Sequence, residues 1–302
     1  MSAFRCRHPT PDTYRRKQII TPTSVDIWGR KHDIPVLSFT THHEKPWLYE
    51  NEDDVVNTLS ACKPDLLISA CYGQKIPSET IRGTQFGALN VHPSLLPRWR
   101  GADPVPWTLI TGDKQTGVTI VTISNSFDKG NIIAQKKIAV TEKDFSDTLR
   151  TTLFTYGADL LMTSLPDYLS GKNKGKPQKK ENETYARKLT RQDGFIPWEY
   201  IQSAMEGNDI EKTKRIGISQ HVTCHMSHVA LRMLRAFSPW PGVWTLLRPD
   251  VRRDYGGQAS SEKRVKILMA HEENGKLILD TVQLEGKKPV TWKQFESSYN
   301  KR

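Results

Sequence analysis

The sequence predicts an α/β protein: a domain with a mostly parallel sheet over residues 1–170, then a linker at 171–184, then a smaller β-rich domain of barrel type at 185–302. Three observations carry this expectation. Apolar, strand-like runs alternate with segments of helical spacing up to residue 170, as in a parallel sheet with crossover helices. A stretch rich in Lys, Gly and Pro then breaks the apolar pattern. Beyond it come short strand-like segments separated by turns, with the extent of an oligonucleotide-binding (OB-like) fold.

The elements follow in order. Residues 51–61 (NEDDVVNTLSA) have helical spacing, and their leading acids suit the positive end of a helix dipole. Lys63-Pro64 is a break, after which DLLISAC (65–71) and FGALNVH (86–92) fit buried strands. DPVPWTLITGD (103–113) opens a helix, with Asp103 as N-cap and Pro104 in the first turn. GVTIVTIS (117–124) and NIIAQKKIAV (131–140) are strand-like, and a helix runs from Ser146 to Leu169. The linker stretch SGKNKGKPQKKENET carries Lys172, Lys174, Lys176, Lys179 and Lys180, which are either solvated linker charge or a track for a phosphate backbone. Helical pattern resumes from Trp198 to Leu234, and VWTLL (243–247), RVKILMA (264–270) and KLILDTV (276–282) are short strands. No internal repeat is present.

The 302 residues suffice for two modest domains. No apolar run approaches the roughly 20 residues of a bilayer-spanning helix, so no membrane partner is expected. Lys and Arg number 44 against 33 acids, a formal charge of +11; this either keeps the protein soluble or attracts a polyanion. Cys6, Cys62, Cys71 and Cys224 have no framework spacing, and Cys62 and Cys71 read as small core residues in a reducing compartment. The first 25 residues carry Arg5, Arg7, Arg15, Arg16 and Lys17. Their composition is that of a transit peptide, but Pro9, Pro11 and Pro22 oppose an amphipathic helix, and the stretch reads as a basic loop of the fold.

The densest functional signal is Asn90-Val91-His92-Pro93-Ser94-Leu95-Leu96-Pro97-Arg98-Trp99-Arg100-Gly101-Ala102. Side chains two apart on a strand share a face, so Asn90 and His92 point the same way. They stand at the end of an apolar strand, where open α/β sheets build their sites. Taken alone, a strand-end His is more often a hydrogen-bonded structural residue. The second element, Ser126-Phe127-Asp128-Lys129-Gly130-Asn131, taken alone is a reverse turn.

Together the two segments resemble the formyltransferase family that uses 10-formyltetrahydrofolate. NVHPSLLPRWRGA is similar to its central signature and FDKGN to its second; TGVTIV (116–121) and ACYGQKIP (70–77) also fit. Within the family, RWRGA with YARKL (185–189) and RAFSPWPGVW (235–244) is most similar to the branch that formylates initiator methionyl-tRNA. The resemblance implies that Asn90, His92 and Asp128 are catalytic. It further implies that Ser94, Leu95, Leu96, Pro97 and Tyr72 border the folate pocket, and that Arg15, Arg16 and Lys17 grip tRNA. The implied co-substrate is 10-formyltetrahydrofolate, leaving tetrahydrofolate, with no metal and a monomeric enzyme. The chemistry is consistent with these residue types: an amide and an imidazolium donate to a tetrahedral oxyanion, and a carboxylate orients the imidazole.

Two departures stand out. The family opens with a strand and helix ahead of the basic loop, so the first domain is expected to be N-terminally incomplete and to lack that first strand. The Trp198–Arg235 stretch is long and holds His221, Cys224, His225 and His228. Their spacing puts them on one helical stripe, which cannot surround a tetrahedral ion, so no metal is expected. The alternatives are a small-molecule formyltransferase or hydrolase of the same family, or an RNA-binding relative with impaired catalysis. The basic, lengthened tail points to the mitochondrial matrix, with the cytoplasm as the other reading.

Overall fold

A computed structural model describes residues 3–7, 23–208, 225–247 and 262–300. In chain order its strands are β1 (Ala3–Arg7), β2 (Val36–Thr40), β3 (Leu67–Ala70), β4 (Ala88–His92), β5 (Arg100–Gly101), β6 (Gln115–Thr122), β7 (Ile132–Ala139), β8 (Tyr185–Ala186), β9 (Val243–Leu247), β10 (Lys263–Glu273), β11 (Lys276–Leu284) and β12 (Val290–Thr291). The helices are α1 (Ser24–Lys31), α2 (Glu52–Ala61), α3 (Ser78–Arg82), α4 (Pro104–Thr111), α5 (Ser146–Leu169), α6 (Trp198–Glu206), α7 (Met226–Phe237) and α8 (Trp292–Asn300). The chain forms two units: residues 1–92, 118–136 and 157–183 make the first, and the remaining residues the second.

The first unit rests on a four-stranded sheet in the order β3-β4-β6-β7. β3 and β4 are parallel, but β4 and β6 are antiparallel, so the sheet is mixed rather than mostly parallel. The reason lies in the connection: β6 is buried along nearly its whole length, and such a strand reads the same in either direction. β4 is buried along nearly its whole length, with only Asn90 half-buried. Leu89 and Val91 are buried on one face, where Val91 pairs with Ile120. Gly157 of α5 meets that face so closely that a Cβ would stand 2.5 Å from Val91 and 3.0 Å from Val118. Asn90 and His92 take the opposite face, beside Ser69 and Thr119 in register. A smaller cluster of Phe39, Tyr49, Val55 and Leu59 packs Leu37 and Tyr72 against it. Asn51 caps α2 by accepting from the Asp54 N–H at 3.2 Å, and the three acids of its first turn stand where the sequence puts them.

Several expectations need correction. The segment 65–71 is not a fully buried strand: β3 alternates, and Ile68 is 46% exposed. Cys62 and Cys71 are exposed, not core. Cys62 falls at the exposed end of α2, and Cys71 just past the end of β3, where neither face is covered. The basic N-terminal stretch begins as a strand, because Ala3–Arg7 pairs in parallel with β2 in a two-stranded sheet; Arg15, Arg16 and Lys17 lie outside the described residues. The 171–184 stretch does more than link, since Ile132 and Lys176 exchange backbone hydrogen bonds of 2.8 and 2.9 Å.

In the second unit α4 starts at Pro104, as the sequence predicts, but the Asp103 carboxylate does not cap it. It accepts instead from the backbone N–H of Leu189 at 2.7 Å. α7 buries Met226, Val229, Ala230, Met233 and Phe237, a single helical stripe. Strands β12-β11-β10-β9 form an antiparallel sheet that does not close into a barrel among the described residues. His225 precedes α7 and its ring lies 5.8 Å from that of His228, which pairs with Glu272 at 2.8 Å; His221 and Cys224 fall outside the described residues. Arg187 forks onto Asp193 with both of its terminal nitrogens. Burial alone would raise the Asp193 pKa, but hydrogen bonds from Arg187 and Thr190 outweigh it and hold the carboxyl below its ordinary value.

Two outcomes follow from this packing. Gly157→Ala should lower stability by about 1–3 kcal/mol, despite the better helix propensity of Ala, because the methyl has no room against the sheet; thermal or urea melting measures it. Asp193 has a depressed pKa, so its stabilisation is present above its ordinary value of 3.8 and fades as pH falls through the lower folded value. Asp193→Asn should therefore be less stable than wild type at neutral pH, with the gap shrinking in acid; a pH-independent gap would contradict the ion-pair account.

Candidate active site

The site of the first unit is assembled by strand β4 and the loop between β6 and β7. β4 ends with Asn90 half-buried and His92 only 4% exposed, both on the face away from Gly157. Placing two polar side chains there is costly unless they find partners. The partner is Asp128. Its Oδ1 accepts from Asn90 Nδ2 at 3.3 Å and lies 3.4 Å from His92 Nδ1, with the Asp128 side chain 11% exposed.

The loop holds this carboxylate through local geometry. β6 and β7 close on each other through Thr122: its N–H donates to the Asn131 carbonyl at 2.9 Å, and its Oγ1 accepts from the Asn131 N–H at 2.8 Å. Gly130 is forced at this crossing, since a Cβ would fall 1.7 Å from the Thr122 carbonyl oxygen. Asp128 itself has φ 55, the left-handed region that Asp tolerates better than most residues. The FDKGN pattern is thus a turn and a site at once: the turn aims the carboxylate.

One oxygen shared by an amide and an imidazole does specific work. A carboxylate at Nδ1 fixes the ring's orientation. The amide and the imidazole then stand on one face, an arrangement suited to a developing oxyanion. The contacts are long for hydrogen bonds, as in many unliganded sites that tighten when substrate binds. Among the described residues no group of three His, Cys, Asp or Glu side chains is placed to hold a metal ion.

Of the residues expected to border a folate, Tyr72 is in the first unit, where its hydroxyl lies 2.5 Å from that of Tyr49. A cavity of about 300 Å³ opens nearby in sequence, between Tyr49, Glu52, the Lys75–Ser78 turn, Ser124 and Asn125. Ser124 and Asn125 belong to the same loop as Asp128. The other expected residues are in the second unit. Ser94 is fully buried and donates to the Arg98 carbonyl at 2.6 Å, Leu96 is buried, and Leu95 and Pro97 are half-buried. That loop is further fixed by Arg98, which forks onto Asp113 at 2.7 and 2.6 Å, and by Trp99 Nε1, which donates to Asp113 at 2.8 Å. Sequence reasoning passed over Gln178, whose amide donates to the carbonyls of Asp128 and Gly130; a lone amide in a Lys-rich stretch carries no periodic signal.

Residues 28–165 match the formyl transferase family. The methionyl-tRNA formyltransferase of Bacillus thuringiensis subsp. konkukian is 28% identical over 292 residues, 93% of this chain and 82% of that protein. The methionyl-tRNA formyltransferase of Listeria welshimeri is 34% identical over 232 residues, 77% of this chain and 64% of that protein. Among solved structures, HypX from Aquifex aeolicus superposes with a TM-score of 0.55 at 18% identity, over 90% of this chain and 44% of that one, which speaks for the fold alone. The two signature segments, the placement of Asn90, His92 and Asp128 around one carboxylate oxygen, and these matches agree, and residues 28–165 of this chain are a formyl transferase domain.

Proposed function

We propose that this protein transfers the formyl group of 10-formyltetrahydrofolate to the amino group of initiator methionyl-tRNA. The observation that carries the chemistry is the shared Asp128 oxygen between Asn90 and His92. The acceptor is supported by relatives that bear the name methionyl-tRNA formyltransferase, and by a formal charge of +11 that suits a polyanion. A folate donor is supported by the HypX structure in complex with tetrahydrofolic acid, which shares this fold. The cavity lined by Ser124 and Asn125 offers room for a heterocycle, on the loop that also carries Asp128.

The step balances with these residues. The methionyl amine attacks the formyl carbon, forming a C–N bond and pushing the carbonyl electrons onto oxygen. Asn90 Nδ2–H and the His92 imidazolium donate to that oxyanion. Asp128 orients His92 and accepts, through an ordered water, the proton the amine gives up. Collapse breaks the bond to the folate N10, which takes that proton and leaves as tetrahydrofolate. The amine attacks directly, so no Ser or Cys nucleophile is required. We assign the enzyme to the mitochondrial matrix on the strength of its basic, lengthened C-terminal part, and read it as a monomer.

Two outcomes test this reading. Asn90→Ala, His92→Ala and Asp128→Asn should each lower kcat by about 10²–10³-fold with KM changed only a few-fold, because the lost contacts form in the transition state; wild-type kcat in any of them removes that residue from the site. Binding of initiator methionyl-tRNA should weaken steeply between about 50 and 200 mM salt, as read by gel shift or fluorescence. An absence of tRNA binding at low salt, with formylation of a small amine instead, would favour a small-molecule formyltransferase.

A further inference from the structure

The stretch 171–183 reads in the sequence as a Lys-rich linker, yet its geometry is ordered around the Asp128 turn. Its burial alternates: the lysines at 172, 174, 176, 179 and 180 are exposed, while Asn173, Gly175 and Gln178 are half-buried. The inward residues bond to the β6–β7 loop and the start of β7. Asn173 Nδ2 donates to the Ile133 carbonyl at 3.1 Å, and Lys176 pairs by backbone with Ile132. Gln178 reaches furthest toward the site. Its Nε2 donates to the carbonyl of Asp128 at 2.7 Å and to that of Gly130 at 2.9 Å. At the far end of the stretch, Lys129 and Glu183 approach to 3.7 Å.

We infer that Gln178 is a positioning residue for formyl transfer, holding the Asp128–Gly130 turn so that the Asp128 carboxylate stays on Asn90 and His92; this rests on the function proposed above. An amide nitrogen has two hydrogens, and here they meet two carbonyls of residues i and i+2, which fixes the Asp128–Lys129 and Gly130–Asn131 peptide planes. The anchor bonds are short, whereas the contacts it serves, 3.3 Å to Asn90 and 3.4 Å to His92, are long. Asp128 also has φ 55 in a loop whose residues 124–127 are all exposed. Within that exposed run the turn is closed by a long contact, Lys129 N–H to the Ser126 carbonyl at 3.4 Å, and Gln178 adds the shorter restraint from beneath it. Small displacements of a catalytic group cost rate far more than they cost stability. Gln178 touches no reacting atom in this scheme and acts only through Asp128.

The test is Gln178→Met, which keeps the length and removes both donors, measured beside wild type, Asp128→Asn and the double variant. The expected result is a loss of about 10–100-fold in kcat, KM within about 3-fold for both substrates, a shifted pH profile of kcat, and a melting temperature near wild type. In the Asp128→Asn background the same change should cost less than about 3-fold more, since a residue acting through Asp128 has nothing left to position. Full kcat and an unshifted pH profile in folded Gln178→Met, or losses that multiply in the double variant, would overturn the inference. If Gln178→Met does not fold, Gln178→Asn, whose amide stops one methylene short, carries the same comparison. If wild type itself makes no formyl-methionyl-tRNA, the functional reading fails. The positioning claim is then decided by the NMR chemical shifts of the His92 ring, which should differ between wild type and the variant as Asp128 moves; unchanged shifts overturn it.

Discussion

Strand β4 must keep two unlike faces apart, and the first unit depends on that separation. Leu89 and Val91 face the side that Gly157 approaches to contact distance, while Asn90 and His92 face the side where Asp128 waits. Strand periodicity is two, so a slip of one residue would turn the amide and imidazole against α5 and carry Leu89 and Val91 to the face of Asp128. The close approach at Gly157 and the register with β3 and β6 exclude that slip. Function and stability are therefore set by one alternation: the residues that fill the core fix where the polar pair points.

The carboxylate that completes the trio is positioned by backbone rather than by packing. Its loop is exposed, and it relies on the Thr122–Asn131 closure, on a glycine with no room for a side chain, and on the amide of Gln178. Such a construction leaves the acid able to adjust when substrate arrives while limiting how far it strays. It also explains why a motif that reads as a turn can carry chemistry: the turn's unusual φ is what directs the side chain.

Much of this was legible in the residues, and the failures have physical causes. The helix at 51–61 and the long helix at 146–169 were visible because their caps, charges and spacing are local. The Asn90, His92 and Asp128 grouping was visible through long motifs, not through isolated residues. Strand direction was not visible, since β6 is buried on both faces and buried strands do not announce their sense. The exposure of Cys62, Ile68 and Cys71 was missed because an apolar run shows that a segment prefers burial, not which neighbours cover it. Asp103 was recognised as a helix-start residue, but its carboxylate serves a backbone N–H 86 positions away, and Gln178 likewise acts at a separation of 50. Long-range hydrogen bonds of this kind leave no pattern in the chain.

The most direct test of the central claim is a single-turnover reaction with isotopically labelled formyl on 10-formyltetrahydrofolate, in the presence of both initiator methionyl-tRNA and candidate small amines. The account predicts that wild type moves the label onto the methionyl amino group of the tRNA, and that Asn90→Ala leaves it on the folate over the same interval. Label recovered on a small amine, or released as formate while the tRNA stays unformylated, would contradict it.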